Sequence, residues 1–329
     1  MQRDGLIEAN AFFSFKRQPD EEKMRIDKYL TQQFPLYSRS FFKKLIEEGF
    51  VTVNGYSIDK QGFPTSPLDT IEIRFPSERI IQPETVCARN LNVAIIHENE
   101  HFFIISKPAG LTVHPPHTKS TAITLMDWLL VHHEDIKEIG YVDRPGIVHR
   151  LDKETSGIMV IPRTNIAHAT FSDQFKDRTI KKQYLAVVNG HPPRIGTVDM
   201  CVGRHPVHKT KMYAFPEHEA VTYRGPKRSA ITHYKVIEYF AETALVEVSP
   251  VTGRTHQIRV HFAALGHPLV GDPVYGFKSK KIKRHALHAH TLNFTFMNES
   301  YFFAASLPED MENLIAQEKE IPCNSTQNL

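Results

Sequence analysis

Cysteine is scarce in this chain of 329 residues, with Cys87, Cys201 and Cys323 far apart. An odd, widely spaced set excludes a disulfide framework and a cysteine zinc cluster. Long apolar runs are also missing, and none approaches the roughly 18 residues a membrane helix needs. The opening residues include Arg3, Asp4 and Glu8 without the apolar stretch of a secretory signal. A cytoplasmic protein with no membrane partner is therefore expected. His114 and His117, like His288 and His290, have spacings compatible with a metal, but no cysteine or carboxylate set accompanies them. Neither a metal nor a cofactor is expected.

Charge of one sign does not dominate: 40 Lys and Arg face 37 Asp and Glu, a formal net charge of +3. The overall balance alone identifies no nucleic-acid partner. Acidic residues are nevertheless absent between Pro273 and Asn298, where Lys278, Lys280, Lys281, Lys283 and Arg284 fall together. Arg204, Lys209, Lys211, Arg224, Lys227 and Arg228 form a second basic stretch, relieved only by Glu217 and Glu219. Either run alone fits a solvated loop, whereas two in one domain favour a polyanion.

The chain divides into an arm (1–23), a small module (24–80), a linker (81–92), a large domain (93–308) and a polar, loosely held tail (309–329). In the small module, Ser38 or Ser40 can cap a helix through FFKKLIEE, and Gly49 supplies its left-handed stop. VTVNGYSI then alternates about Asn54-Gly55, a strong signal for a two-residue hairpin turn, and TIEIRF closes the unit as a strand. The large domain shows many strands, including GIMVIP, YLAVVN, ITHYKVIEY and TALVEVS. Its helical candidates are AITLMDWLLVHH, NIAHATFSDQFKD and THQIRVHFAAL. Strands mostly follow one another without a crossover helix, so an α+β domain around a mixed, largely antiparallel sheet is expected.

Three stretches set charged residues against special turns: SKPAGLTVHP (106–115), GIVHRLDKETSGIMVIPRT (146–164) and TGRTHQIRVHFAALGHPLVGDPVYG (252–276). Loops fixed on a rigid sheet in this way are where chemistry is usually placed. Agreeing in order and residue type, they resemble the catalytic domain of an RluA-type RNA pseudouridine synthase over residues 93–306. MRIDKYL followed by SRSFFKKLIEEGFVTVNG resembles an S4 domain, a compact α/β RNA-binding fold. The combination is similar to the synthases that act on large-subunit ribosomal RNA. The resemblance implies that Asp152 is the catalytic aspartate, Tyr184 the active-site tyrosine and Arg254 the arginine paired with the aspartate. Arg150 matches the residue thought to replace the target base in the RNA stack, and His149 and Lys107 join it on the substrate side. Within the S4-like module it implies phosphate contacts at Arg25, Lys28, Arg39, Lys43 and Lys44. Seven Lys and Arg against six Asp and Glu over residues 24–76 make that module only modestly basic.

The chemistry supports these roles. Isomerising uridine breaks the bond from N1 to ribose C1′, turns the uracil and joins C5 to C1′. A carboxylate that holds sugar or base covalently, at C1′ or at C6, is sufficient without metal or redox carrier. An arginine fork would keep Asp152 charged and aimed in a closed site. A uracil in structured RNA must first be flipped out, at a cost of a few kcal/mol. Tyr184 can stack on it and take the C5 proton, Ile258 is expected to pack on the base, and Arg259 to meet a phosphate or the backbone. Alternatives remain: a transfer-RNA synthase, or a non-catalytic RNA-binding factor of ribosome assembly. A pure binder has no use for a carboxylate that repels phosphate. A glycoside or nucleoside hydrolase would want a second carboxylate, for which Asp272 is the lone candidate. The expected partner is RNA, as large-subunit ribosomal RNA or a pre-ribosomal particle, bound by a monomer.

Overall fold

A computed structural model describes residues 7, 10–76, 88, 90–115, 120–208 and 210–321. Cys87, Cys323, His117, Lys209 and most of the expected linker lie outside them. The chain forms two compact units, one of Met1–Leu91, Val113–Ile147 and Pro162–Ala169, the other of Asn92–Thr112, Val148–Ile161 and Thr170–Leu329.

In the first unit, strands β1 (Phe12–Lys16), β2 (Val51–Val53), β3 (Tyr56–Ser57) and β4 (Thr70–Arg74) make an antiparallel sheet in the order β1-β4-β2-β3. Helices α1 (Ile26–Gln33) and α2 (Arg39–Glu47) contribute Ile26, Leu30, Phe42, Leu45 and Ile46 to a core shared with Val51, Ile71 and Ile73. Of the two candidate caps, Ser38 is the one used, its hydroxyl accepting the Phe41 N–H at 3.2 Å. Asn54 and Gly55 both take positive φ (52° and 80°), which closes the β2–β3 hairpin with the twist such turns need. Part of the expected arm is sheet, since β1 alternates and packs Phe13 and Phe15 against this core. Residues 113–147 join the same unit with helix α3 (Leu125–His132), opened by a Thr124–Asp127 capping box. Asp143 accepts from the Ser38 N–H and hydroxyl, both at 2.7 Å, and Val142 packs on the core. The S4-like module therefore folds against a later segment of the chain.

In the second unit nine strands form one sheet. They are β5 (Ala94–Glu98), β6 (Phe102–Lys107), β7 (Ser156–Pro162), β8 (Lys181–Asn189), β9 (Ile195–Asp199), β10 (Ile231–Tyr239), β11 (Thr243–Pro250), β12 (Leu287–Phe296) and β13 (Glu299–Ala304). Their order is β9-β10-β11-β8-β12-β7-β6-β5, with β13 beside β12. The β9–β10, β10–β11, β11–β8, β8–β12 and β12–β13 pairings are antiparallel, while β7 runs parallel to β12, matching the mixed, largely antiparallel α+β expectation. Gly157 permits the parallel pairing: at φ +121°, a Cβ there would collide with the Ala289 backbone. Helix α4 spans Asn165–Asp177, as its sequence pattern predicts, and α5 spans Gln257–Ala264. Where the sequence suggests a loose polar tail, Glu309–Glu320 form a helix, α6. Its Met311 and Leu314 are buried against Val187, Phe240 and Leu245. Three-residue spacing puts both on one face, and two apolar residues are too few to mark a helix in so polar a segment.

Candidate active site

Asp152 lies in a turn just ahead of β7, closed by a hydrogen bond from the Thr155 N–H to the Asp152 carbonyl at 3.1 Å. Each of the next four residues is anchored. Lys107, the last residue of β6, is fully buried, and its Nζ donates to the carbonyls of Pro108 (2.8 Å), Leu111 (2.8 Å) and Lys153 (3.1 Å). Burial, and then the Arg284 charge, pull its pKa down to about 7, although three carbonyls match the three donors of the ammonium form. Lys107 is thus no substrate ligand, contrary to expectation; it fixes the loop that carries Asp152. Arg284, also buried, donates from Nη1 to the Glu154 carbonyl at 3.0 Å and from Nη2 to the Ser156 hydroxyl at 3.2 Å. Its Nε and Nη2 grip Asp310 of α6 at 2.7 and 2.9 Å, so the last arginine of the basic run points inward and offers RNA nothing. The Thr155 hydroxyl meets His285 Nε2 at 2.8 Å.

A cavity of about 510 Å³ opens over this turn, lined by Asp152, Arg150, Tyr184, Arg254, His256 and Arg259 among others. Its size falls within the roughly 300–1,000 Å³ of small-molecule sites. Tyr184 enters from β8 at an irregularity between Gln183 and Tyr184, where the register with β12 shifts. Burial, reinforced by the negative charge of Asp152, raises its pKa, so it meets a substrate as a phenol. A resting tyrosinate that could take the C5 proton is disfavoured.

The arginine beside Asp152 is Arg259 and not Arg254. Arg259 Nη1 reaches Asp152 Oδ2 at 3.2 Å, while its Nε and Nη2 lie on Asp272 at 2.7 and 3.0 Å. Arg254 instead donates from Nε to the Ser229 carbonyl at 3.1 Å. Burial, and then the neighbouring Arg228 and Arg178, lower its pKa. Asp272 is inaccessible and also receives the N–H groups of Val274 (2.9 Å) and Tyr275 (3.2 Å). Burial alone would raise its pKa, but these bonds, chiefly those of Arg259, hold it below the usual carboxylate range. Burial likewise opposes the charge of Arg259, and the two carboxylates outweigh it. Asp272 therefore serves as the anchor of Arg259, whose described partners are two carboxylates and not the protein backbone.

His149 has a structural place too. Its Nε2 accepts the Val160 N–H at 3.1 Å, its ring stacks on Phe175 at 4.4 Å, and burial pushes its pKa down to about 3. It lines the cavity as a neutral brace of the loop. Ile258, 6% exposed, belongs to the core of the sheet and shows the cavity only an edge. Gln257, at the start of α5, fixes the turn before that helix. Its Oε1 accepts from the Thr252 hydroxyl (2.7 Å) and the Arg254 N–H (3.0 Å), and its Nε2 donates to the Ile231 carbonyl and the Thr232 hydroxyl. His256 and Tyr275 are the residues that the sequence reading did not single out. Tertiary contacts bring His256 to the cavity and Tyr275 onto His256, and only their place within the third motif could have drawn attention to them.

Of the expected RNA contacts in the first unit, Arg25 and Arg39 both lie on Asp27, which is fully buried, through paired bonds of 3.0–3.2 Å. Two half-exposed guanidinium groups on one carboxylate leave a net charge of about +1 for phosphates to meet. Lys44 donates to the Pro115 carbonyl at 2.8 Å. Lys28 is exposed and Lys43 partly so.

Comparison with known proteins agrees with this architecture. Residues 101–264 match the family described as RNA pseudouridylate synthase, and residues 24–71 match the S4 domain. An uncharacterized RNA pseudouridine synthase of Aquifex aeolicus is 40% identical, with 83% of each chain covered. The ribosomal large subunit pseudouridine synthase D of Zymomonas mobilis is 37% identical over 88% of this chain and 92% of its own. Among solved structures, human RNA pseudouridylate synthase domain containing 4 superposes with a TM-score of 0.57 at 26% identity, covering 72% of this chain and 97% of that one. With an S4 domain ahead of a sheet that bears a charged cavity of this kind, and with relatives of such identity along most of its length, the chain belongs to the RNA pseudouridine synthases.

Proposed function

We propose that this synthase isomerises uridines of large-subunit ribosomal RNA, with Asp152 as the nucleophile. The observation that carries the nucleophile is the one-sided tether of its carboxylate. Arg259 gives Oδ2 one bond from Nη1 and sets its Nε and Nη2 on Asp272, and no described hydrogen bond reaches Oδ1. One oxygen is thus oriented while the other keeps its lone pairs for attack. Tyr184, a phenol, offers the flipped uracil a flat face and one hydrogen bond, and Ile258 supplies an apolar edge. Arg150, exposed at the cavity rim, takes the place of the extruded base. Arg254, away from Asp152, is left to meet RNA backbone on the same rim.

The ribosomal assignment rests on relatives named ribosomal large subunit pseudouridine synthase D and on the S4 domain. In that domain Lys28, Lys43 and the Asp27-bound pair Arg25 and Arg39 form a second, weak RNA contact. Lys44, spending its Nζ on the Pro115 carbonyl, contributes its charge at longer range. Even a weak second contact in one chain raises discrimination among similar loops, because it acts at high effective concentration.

Asp152→Asn should abolish tritium release from C5-labelled RNA while leaving filter-measured affinity within a few fold, since the change removes a negative charge from an RNA-facing cleft. Turnover near the wild-type rate would remove Asp152 from its role. Pseudouridines mapped by carbodiimide-dependent reverse-transcription stops, in cells with and without the protein, test the substrate. Stops lost only from transfer RNA would overturn the ribosomal assignment and leave the chemistry of Asp152 untouched.

A further inference from the structure

His256, like Arg178 (φ 63°), is a cavity-lining residue whose backbone is held in an uncommon conformation. It precedes α5 with φ 57° and ψ 17°, a left-handed geometry that costs a residue with a Cβ about 1 kcal/mol or more. The bend turns its ring toward the loop of Asp152. Nδ1 lies 2.8 Å from the Tyr275 hydroxyl, the two rings meet edge to face at 5.6 Å, and Nε2 stands 3.8 Å from Asp152 Oδ2. That last distance is too long for a hydrogen bond, so Nε2 is held beside the carboxylate without being bound to it.

The neighbours decide which nitrogen carries the proton. The Tyr275 hydroxyl accepts the Met212 N–H at 2.9 Å, and no acceptor other than His256 is described for its own hydrogen. The hydroxyl therefore donates to Nδ1, and a neutral imidazole keeps its proton on Nε2, the nitrogen nearer Asp152. Burial favours that neutral form: it lowers the pKa of His256, with Arg259 and Arg150 acting in the same direction and Asp152 and Asp272 opposing.

Taking the pseudouridine chemistry proposed above, we infer that His256 is a catalytic hydrogen-bond donor, its Nε2–H binding a uracil carbonyl oxygen and stabilising the negative charge that the base acquires. If Asp152 attacks C1′, the bond to N1 breaks and its electron pair leaves with the uracil, spreading over N1, O2 and O4. C5 then attacks C1′, the carboxylate departs with its own pair, C5 loses its proton and N1 gains one. If Asp152 adds to C6, the same kind of charge appears on O4. Either way, negative charge grows on a carbonyl oxygen while a second negative group, Asp152, stands close by. A neutral N–H donor answers this need. Arg259 already directs its Nε, Nη1 and Nη2 at two carboxylates, and Tyr184 supplies at most one further donor.

The test is single-turnover conversion of a large-subunit ribosomal RNA fragment by the full-length enzyme, with affinity measured separately. Loss of one such donor is expected to slow the chemical step by about 10²–10³-fold. His256→Ala should show this with RNA affinity within about three-fold. His256→Gln, whose carboxamide retains an N–H, should recover part of the loss, and Tyr275→Phe, which frees the imidazole to change tautomer, should lie between. Thio-substituted targets separate a donor from a mere spacer. Exchanging the uracil oxygen at C2 or at C4 for sulfur, a poorer acceptor, should slow the wild type at one of these positions and leave His256→Ala much less affected. An Ala variant within three-fold of wild type would overturn the inference, as would equal thio effects at both positions in the two enzymes. A failure of Asp152 as nucleophile would instead appear in Asp152→Asn, independently of these results.

Discussion

Replacing Asp272 by asparagine tests the electrostatic frame of the site. The carboxylate is inaccessible and accepts four hydrogen bonds, two from Arg259 and two from backbone N–H groups. Asparagine keeps one acceptor but sets an NH₂ where a second oxygen faced the guanidinium. Breaking a buried pair by neutralising one partner typically costs 3–5 kcal/mol. Arg259 keeps Asp152 as a partner, and that carboxylate is only 20% exposed, which places the expected loss toward the lower end, about 3 kcal/mol. The pH dependence follows the same charge. The folded-state pKa of Asp272 lies below the ordinary carboxylate value, so its stabilisation is present above that value and is lost as the pH falls through the lowered one. The gap between wild type and Asp272→Asn, measured by urea unfolding, should accordingly be widest near neutrality and narrow below about pH 4. With Asp152 as the proposed nucleophile, turnover should fall by more than ten-fold, because Arg259, freed on one side, can swing onto both oxygens of Asp152 and engage the lone pairs that attack would need. A variant within 1 kcal/mol of wild type that retains half its turnover would refute the idea that Asp272 holds Arg259 off the nucleophile.

Gly157→Ala should destabilise by about 3 kcal/mol, combining a positive φ with a collision against the Ala289 backbone in the parallel pairing, and a melting temperature within a degree of wild type would count against it. Lys107→Met should lower turnover more than RNA affinity, because it frees the Lys153 carbonyl beside Asp152; unchanged turnover would show that the turn holds itself. Asp310→Ala strips Arg284 of its carboxylate and should likewise slow turnover at a distance from the cavity, with Asp310→Glu restoring part of it. Between pH 6.5 and about 4 the wild-type melting temperature should fall, since burial pushes His261 and His288 to about 4 and His285 to about 3. The unfolded chain binds those protons over that window and the folded one does not. A flat profile there would mean that the three rings are protonated in the fold.

Local signals carried much of the fold. The Asn54-Gly55 turn, the Ser38 cap and the full span of α4 follow from short-range chemistry that no distant residue overrides. Asp152 and Tyr184 also lie on one cavity, as the resemblance implies. What stayed hidden depends on chain segments far apart. Choosing between Arg254 and Arg259 requires knowing that His256 adopts a left-handed turn, which sends one arginine to the Ser229 carbonyl and the other to Asp152. The basic run at 278–284 looked uniform, yet Arg284 is buried on Asp310 while Lys278 and Lys280 stay exposed. Its partner sits in α6, a segment whose sequence gave little sign of being helical.

The placement of cations around Asp152 has a common logic. Lys107 and Arg284 bind the carbonyls of the two residues that follow it, and Arg259 gives it a single Nη while Asp272 takes the stronger bonds. A carboxylate gripped on both oxygens by a buried arginine would be well ordered and a poor nucleophile, because attack would have to break charge-assisted bonds worth about 1.5–3 kcal/mol each. A carboxylate on a loose loop would be reactive and badly aimed. Fixing the backbone through carbonyls and leaving the side chain lightly held separates aim from reactivity. It also accounts for anchoring charges that come from residues as distant in sequence as Lys107, Asp272 and Arg284: each steadies the turn from a different strand or loop, and none has to touch the oxygen proposed to react.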